Sequence, residues 1–318
     1  MDKDKILVIG ANGQIGTALL PKLQEIYGEK QVIASDLQLA QHATSFFETL
    51  DATQPGALQG VIKKHNITQI YHLAAVLSAK GEANPLQAWN LNMQTLLNVL
   101  EAAREFRLKK VFIPSSIAVF GESAPRQFTP QQAYLDPTTV YGISKVAAEN
   151  WCQYYHSRYQ VDVRSLRYPG VIGYQSMPGG GTTDYAVEMY HKALSGENYN
   201  CYLQEDTRLP MIYMEDVLRA TIELMEAPAN QISVRTSYNL AGISFTPAEL
   251  LQKIQESFPK FQCNFVPDFR QAIADSWPES IDDTSAQKDW GWKPKFDLTQ
   301  ITSEMIAHLS KQLIADKN

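Results

Sequence analysis

The chain has 318 residues, 44% of them hydrophobic, and a formal net charge of −6. That length carries one large domain or a large domain with a smaller companion, and the apolar fraction is that of a globular protein. The acidic balance offers no basic field for nucleic acid or anionic lipid. Three dispersed cysteines (Cys152, Cys201, Cys263) make no disulfide framework, and six scattered histidines without an H-E-x-x-H pair imply no metal site.

An apolar run begins within five residues of Met1, so no leader peptide is expected, and no run approaches the ~20 residues that span a bilayer. The expectation is a soluble, cytoplasmic protein. Short β-branched runs at Ile6–Ile9, Val32–Ser35, Ile67–Leu73, Val111–Pro114 and Val161–Tyr168 read as buried parallel strands. Between them lie helical patterns at Gln14–Tyr27, Thr53–Lys64, Leu86–Phe106 and Val140–Arg158. This alternation predicts an α/β fold, a Rossmann-like doubly wound parallel sheet. After Tyr168 the rhythm changes: a Pro- and Gly-rich loop, Pro169–Gly181, leads to a helix at Asp184–Leu194, and a last helix is expected at Leu298–Leu313. Residues 1–168 are thus expected to form the dinucleotide-binding domain, with about 211–241 returning to it. Residues 169–210 and 242–318 are expected to form a smaller, mostly C-terminal substrate-binding lobe.

Gly10-Ala-Asn-Gly13-Gln-Ile-Gly16 stands between the first strand and the first helix. There, glycines allow a tight turn and let backbone N–H groups reach a pyrophosphate at the helix N-terminus, so Gly10, Asn12, Gly13, Gln14, Ile15 and Gly16 are candidate cofactor residues. Asp36 ends the second strand, twenty residues past Gly16. A carboxylate there bonds a ribose 2′-hydroxyl and repels a 2′-phosphate, which favours NAD over NADP. Asp51 suits either the adenine amino group or a helix cap. Small residues in Leu73-Ala74-Ala75 let the backbone lie against a cofactor, while the preceding His72 reads as a packed histidine.

Tyr141-Gly-Ile-Ser-Lys145 opens a helical pattern, and residues four apart share a helix face. Alcohol oxidation needs a base for the hydroxyl proton, and a phenolate at neutral pH needs its pKa lowered by about three units, which a neighbouring lysine and a positive nicotinamide both favour. Tyr141 is the only Tyr-x-x-x-Lys tyrosine among 15. Ser116, at the end of the preceding strand, is the candidate to orient the substrate oxygen. Asn92 either holds a group behind the lysine or faces solvent.

These motifs together resemble the extended short-chain dehydrogenase/reductase superfamily. Three segments, Leu77–Glu82, Tyr168–Ile172 with Pro178–Ala186, and Ala274–Asp283 with Asp289–Trp292, resemble the short-chain-type L-threonine 3-dehydrogenases. That resemblance implies NAD-dependent oxidation of L-threonine to L-2-amino-3-ketobutyrate, and a homodimer packed through the helices beginning near Leu86 and Tyr141. It makes Ser116, Tyr141 and Lys145 catalytic. It adds Asn92, Tyr168, Pro169 and Val171 to the cofactor residues, and Ser78, Gly181, Thr182, Thr183 and Trp277 to the substrate site. The residues themselves leave several alternatives open. Amides of Gly179–Thr183 could receive a carboxylate, or Thr183 could simply cap a helix. Trp277 fits core or lid, and Arg208 fits an anion or a neighbouring acid. The Leu86–Phe106 helix, apolar nearly all round, fits burial under the lobe or a two-fold contact. The competing reaction is that of a nucleotide-sugar epimerase or dehydratase; Ile117-Ala118 stands where a dehydratase usually carries Asp-Glu.

Overall fold

The computed structural model describes residues 4–39 and 46–315; the chain start on which the no-leader expectation rests lies outside them. Strands β1 (Ile6–Ile9), β2 (Val32–Asp36), β3 (Phe47–Thr49), β4 (Gln69–His72), β5 (Lys110–Phe112), β6 (Ser115–Ser116) and β7 (Val163–Arg164) alternate with helices. The helices are α1 (Gln14–Tyr27), α2 (Pro55–His65), α3 (Ser78–Ala83), α4 (Pro85–Glu105) and α5 (Val140–Tyr159). Six of the strands form one parallel sheet in the order β3-β2-β1-β4-β5-β7. That is the doubly wound Rossmann arrangement, reversing direction between β1 and β4.

Side chains alternate across a strand, and here both faces are covered. Leu7 and Ile9 pack with Leu58, Leu96 and Leu100 of α2 and α4. Ile6 and Val8 face the opposite way, onto Leu19 and Leu23 of α1. The same layer holds Val217 and Leu224 of α7 (Met214–Glu226).

The expected strand over Val161–Tyr168 is divided into β7 and β8 (Leu166–Tyr168). Pro114 has no N–H to give, so the ladder breaks beside it and resumes on β6 in the same register, with Phe112 opposite Arg164 and Ser115 opposite Arg167. β9 (Gly170–Ile172) then pairs with β11 (Leu209–Tyr213), and β12 (Tyr238–Asn239) lies beside β8.

A second core gathers α6 (Tyr185–Ser195), α8 (Pro247–Gln255), α9 (Phe269–Asp275) and α11 (Leu298–Ala315) through Tyr190, Leu250, Ile273 and Met305. Two short pairings border it, β10 (Tyr199–Cys201) with β14 (Cys263–Phe265) and β11 with β13 (Ile243–Phe245). Helix α10 (Thr284–Trp290) departs from the expected division, because Ala286 and the fully buried Trp292 join the sheet-side core. Tyr238 holds them there, its hydroxyl donating to Asp289 at 2.5 Å and its ring lying edge-on to Trp290. No described helix is long and apolar enough to cross a membrane.

Candidate active site

A cleft of about 510 Å3 opens at the carboxyl ends of β1, β2 and β4, lined by Gly10, Asn12, Gly13, Asp36, Asp51, Leu73, Ala74, Ala75 and Asn92. Gly10 has φ +86°, and a Cβ there would meet the Ala74 nitrogen at 2.7 Å; one on Gly16 would meet the Gly10 carbonyl at 2.3 Å. Only glycine lets these three segments close on one another. Helix α1 starts behind this turn with Gly13 as its N-cap, no side-chain cap and no acid in its first turn. Its first amides are therefore free for an anion. Nearby, Gln14 Nε2 is buried without a partner among the described residues. Asp36 faces the turn, accepting from Asn12 N at 2.9 Å and Leu37 N at 2.7 Å, and the Asn12 amide donates to Gln38 O. A dinucleotide fits this lining: glycine turn and helix start for the phosphates, Asp36 for a ribose.

Asp51 lies in the cleft wall and is not the cap of α2, which begins after Gln54. Its carboxylate takes the amide and hydroxyl of Thr53, whose bonds hold it below the usual carboxylate range. The Tyr168 side chain turns away from the cleft. Its ring packs against Phe112 beneath α7 and its hydroxyl bonds Thr221. Val171 is part-buried in the same layer, following Pro169 into β9.

Thr139 caps α5 by accepting from Gly142 N at 3.1 Å, which presents Tyr141 and Lys145 on the first turns. A Cβ on Gly142 would lie 2.1 Å from the Ala118 carbonyl. That close approach brings Tyr141 beside Ser116. Lys145 Nζ donates to Pro114 O at 2.7 Å and lies 5.4 Å from the centre of the Tyr141 ring. Burial pushes the Tyr141 phenol up to about 12, with the Ser116 bond opposing, and pushes Lys145 down to about 8, with Cys152 and Glu149 opposing. The expected lowering of Tyr141 is thus absent from the protein alone. Desolvation of the phenol raises it, and Ser116 is what opposes.

Asn92 faces inward. Its Oδ1 accepts from Val76 N at 2.8 Å, and its amide donates to Val76 O and to Ser144 Oγ. Helix α3 is tied to the start of α5, Glu82 accepting from Val140 N at 2.8 Å. This sets Ser78 at 3.5 Å from the buried Thr182 hydroxyl. Two of the amides offered to a carboxylate are already taken: Asp184 Oδ2 accepts from Gly180 N at 2.8 Å and Gly181 N at 2.7 Å. Asp184, not Thr183, is the residue preceding α6. Trp277 is 5% exposed and belongs to the lobe core. Arg208 pairs with Glu249 at 2.5 Å and Ser244 O, so the neighbouring-acid alternative holds for it.

Sequence reasoning missed Glu149 and Arg167. Both are buried, joined by two bonds of 2.9 and 2.7 Å, and Ser115 Oγ donates to the same carboxylate at 2.6 Å. The spacing of Glu149, four residues after Lys145, was the available signal. Among the described residues no group of His, Cys, Asp and Glu could hold a metal ion.

The model of the NAD dependent epimerase/dehydratase family matches residues 6–241. An uncharacterized epimerase/dehydratase of Staphylococcus haemolyticus is 44% identical over 97% of this chain and 98% of its own length. The holo form of a GalE-like L-threonine dehydrogenase from Cupriavidus necator superposes with a TM-score of 0.94 at 56% identity, covering 96% of this chain and 99% of that one. A monomeric L-threonine 3-dehydrogenase from a metagenome, in its apo form, has the same TM-score at 47% identity, with the same coverage. With its glycine turn, its tyrosine–lysine pair and a match over most of its length, the chain belongs to the NAD-dependent epimerase/dehydratase family, and its fold is that of solved L-threonine dehydrogenases.

Proposed function

We propose that the protein oxidises L-threonine at its 3-hydroxyl to L-2-amino-3-ketobutyrate, with NAD as the electron acceptor. The observation that carries this reading is the Ser116–Tyr141–Lys145 cluster, part-buried beside the cleft in a chain that superposes on threonine dehydrogenases over nearly its whole length. Ser116 orients the substrate oxygen, and Tyr141 takes its proton. Lys145, anchored on Pro114 O, keeps a positive charge by the phenol. When bound in the cleft, the nicotinamide ring supplies the hydride acceptor and a second positive charge. The hydroxyls of Ser78, Thr182 and Thr183 are left to meet the polar groups of a small amino acid, since Asp184 occupies the Gly180 and Gly181 amides. Gly181 shapes that loop, and Trp277 backs it from the lobe core. The proposed division into a cofactor domain and a substrate lobe sets apart the two hydrophobic cores, with α10 on the sheet side.

Asp36 supports NAD over NADP, because its carboxylate repels a 2′-phosphate. A second copy is proposed across α4 and α5, where Ile143, Trp151 and Tyr154 of α5 are left exposed. Light scattering decides it, a single-chain mass refuting the dimer. The three free cysteines fit a reduced cytoplasm.

The test is NADH formation with L-threonine, D-threonine, L-allo-threonine and L-serine in parallel, repeated with NADP. Tyr141→Phe should lower kcat by at least about a hundredfold while leaving NAD binding intact. NADH from L-threonine alone supports the reading. Silence with every amino acid, from protein that binds NAD, rejects it in favour of nucleotide-sugar chemistry.

A further inference from the structure

Behind Lys145 lies a small cavity separate from the substrate side. It is bounded by His72, Ala74, Asn92, Leu96, Ser144 and Lys145. The centre of a water-sized sphere can move there through about 20 Å3, room for one water and little else. The polar groups around it are unequally satisfied. Asn92 spends its Oδ1 on Val76 N and its amide on Val76 O and Ser144 Oγ. Ser144 donates to Tyr141 O at 2.7 Å and keeps one acceptor lone pair. Lys145 has three N–H donors, one of which goes to Pro114 O. His72 is 4% exposed, and its Nδ1 is buried with no hydrogen-bond partner among the described residues.

A buried nitrogen without a partner costs about as much as a lost hydrogen bond, unless water supplies one. From this complementary shortage of partners we infer that His72 is a positioning residue for Lys145, acting through one buried water that accepts from Lys145 Nζ and donates to His72 Nδ1 and to Ser144 Oγ. Burial and the Lys145 charge push His72 down to about 3, so the ring stays neutral at working pH and keeps one nitrogen as an acceptor. An acceptor at the far end of the water favours the charged ammonium and holds Nζ on the cavity side of Pro114 O. The other charged or titratable groups around Lys145 are Tyr141, Cys152 and Glu149 of its own helix, with Glu149 held by Arg167 from β8.

The inference rests on the proposed role of Lys145, and its test has a structural arm and a kinetic arm. High-resolution diffraction of the wild type and of His72→Leu looks for the water directly. Density within hydrogen-bond distance of Lys145 Nζ and His72 Nδ1, lost in the variant, supports the inference; a dry wild-type cavity overturns it whatever the substrate. In the kinetic arm, His72→Leu should move the alkaline limb of kcat with L-threonine down by about one pH unit, the size of one hydrogen bond to a charged group. The KM for threonine should stay unchanged, and His72→Gln, which retains an acceptor, should recover part of the shift. A variant that melts earlier but keeps the wild-type limb shows His72 to be packing only and overturns the inference. If the wild type leaves L-threonine untouched, the proposed reaction falls and the diffraction arm alone decides the water site.

Discussion

Lys145→Met should make the protein inactive yet more stable at neutral pH. Burial lowers Lys145 from the ordinary lysine value of 10.5 to about 8. At 1.36 kcal/mol per unit, holding the charge in place costs the fold about 3 kcal/mol wherever both folded and unfolded states are protonated. Methionine fills similar space and removes that cost. Against this stands the loss of the 2.7 Å bond to Pro114 O, worth about 1–2 kcal/mol with the carbonyl left unpaired. The net gain is about 1–2 kcal/mol at pH 7. The sign then reverses with pH. The folded pKa lies below the unfolded one, so the unfolded chain binds more protons between about 8 and 10.5, and wild-type stability rises through that window. Above it, only the lost bond to Pro114 remains, and the variant should be the less stable of the two. Urea unfolding of both proteins at pH 7 and near pH 10 measures this directly. A variant less stable at pH 7, or a difference that does not change with pH, refutes the argument that the active-site charge is held at the fold's expense.

Glu149→Gln breaks a buried pair on one side and leaves Arg167, 4% exposed, without its countercharge. It should cost about 3 kcal/mol in urea unfolding and move the Lys145 limb to lower pH, because Glu149 supports the ammonium; an unchanged unfolding midpoint would exclude a structural role. Asp36→Ser should reduce the preference for NAD over NADP, read as the ratio of kcat/KM values, by at least about tenfold, since the repelling carboxylate is gone. A ratio equal to that of the wild type would show that Asp36 does no more than hold Asn12.

Local features of this site were legible before any coordinates. The order of strands and helices follows from periodicity, and Asp36 follows from its offset behind the glycine turn. Tyr141 and Lys145 share a face because one helical turn dictates it, and Glu149 was readable by the same rule. What the sequence alone left undecided depends on which face of an element meets which neighbour. The alternation through Leu166-Arg-Tyr168 is plain, but only the packed sheet sends Leu166 and Tyr168 beneath α7 and Arg167 to Glu149. The Ser78–Thr182 meeting spans 104 positions, and the Asp184 carboxylate takes amides that a strand–loop–helix pattern offers to any anion. The ionisation of Tyr141 was beyond the sequence for a related reason. Spacing brings a lysine onto the same face as a phenol, but burial is set by everything packed around the pair, and in this protein it raises the phenol.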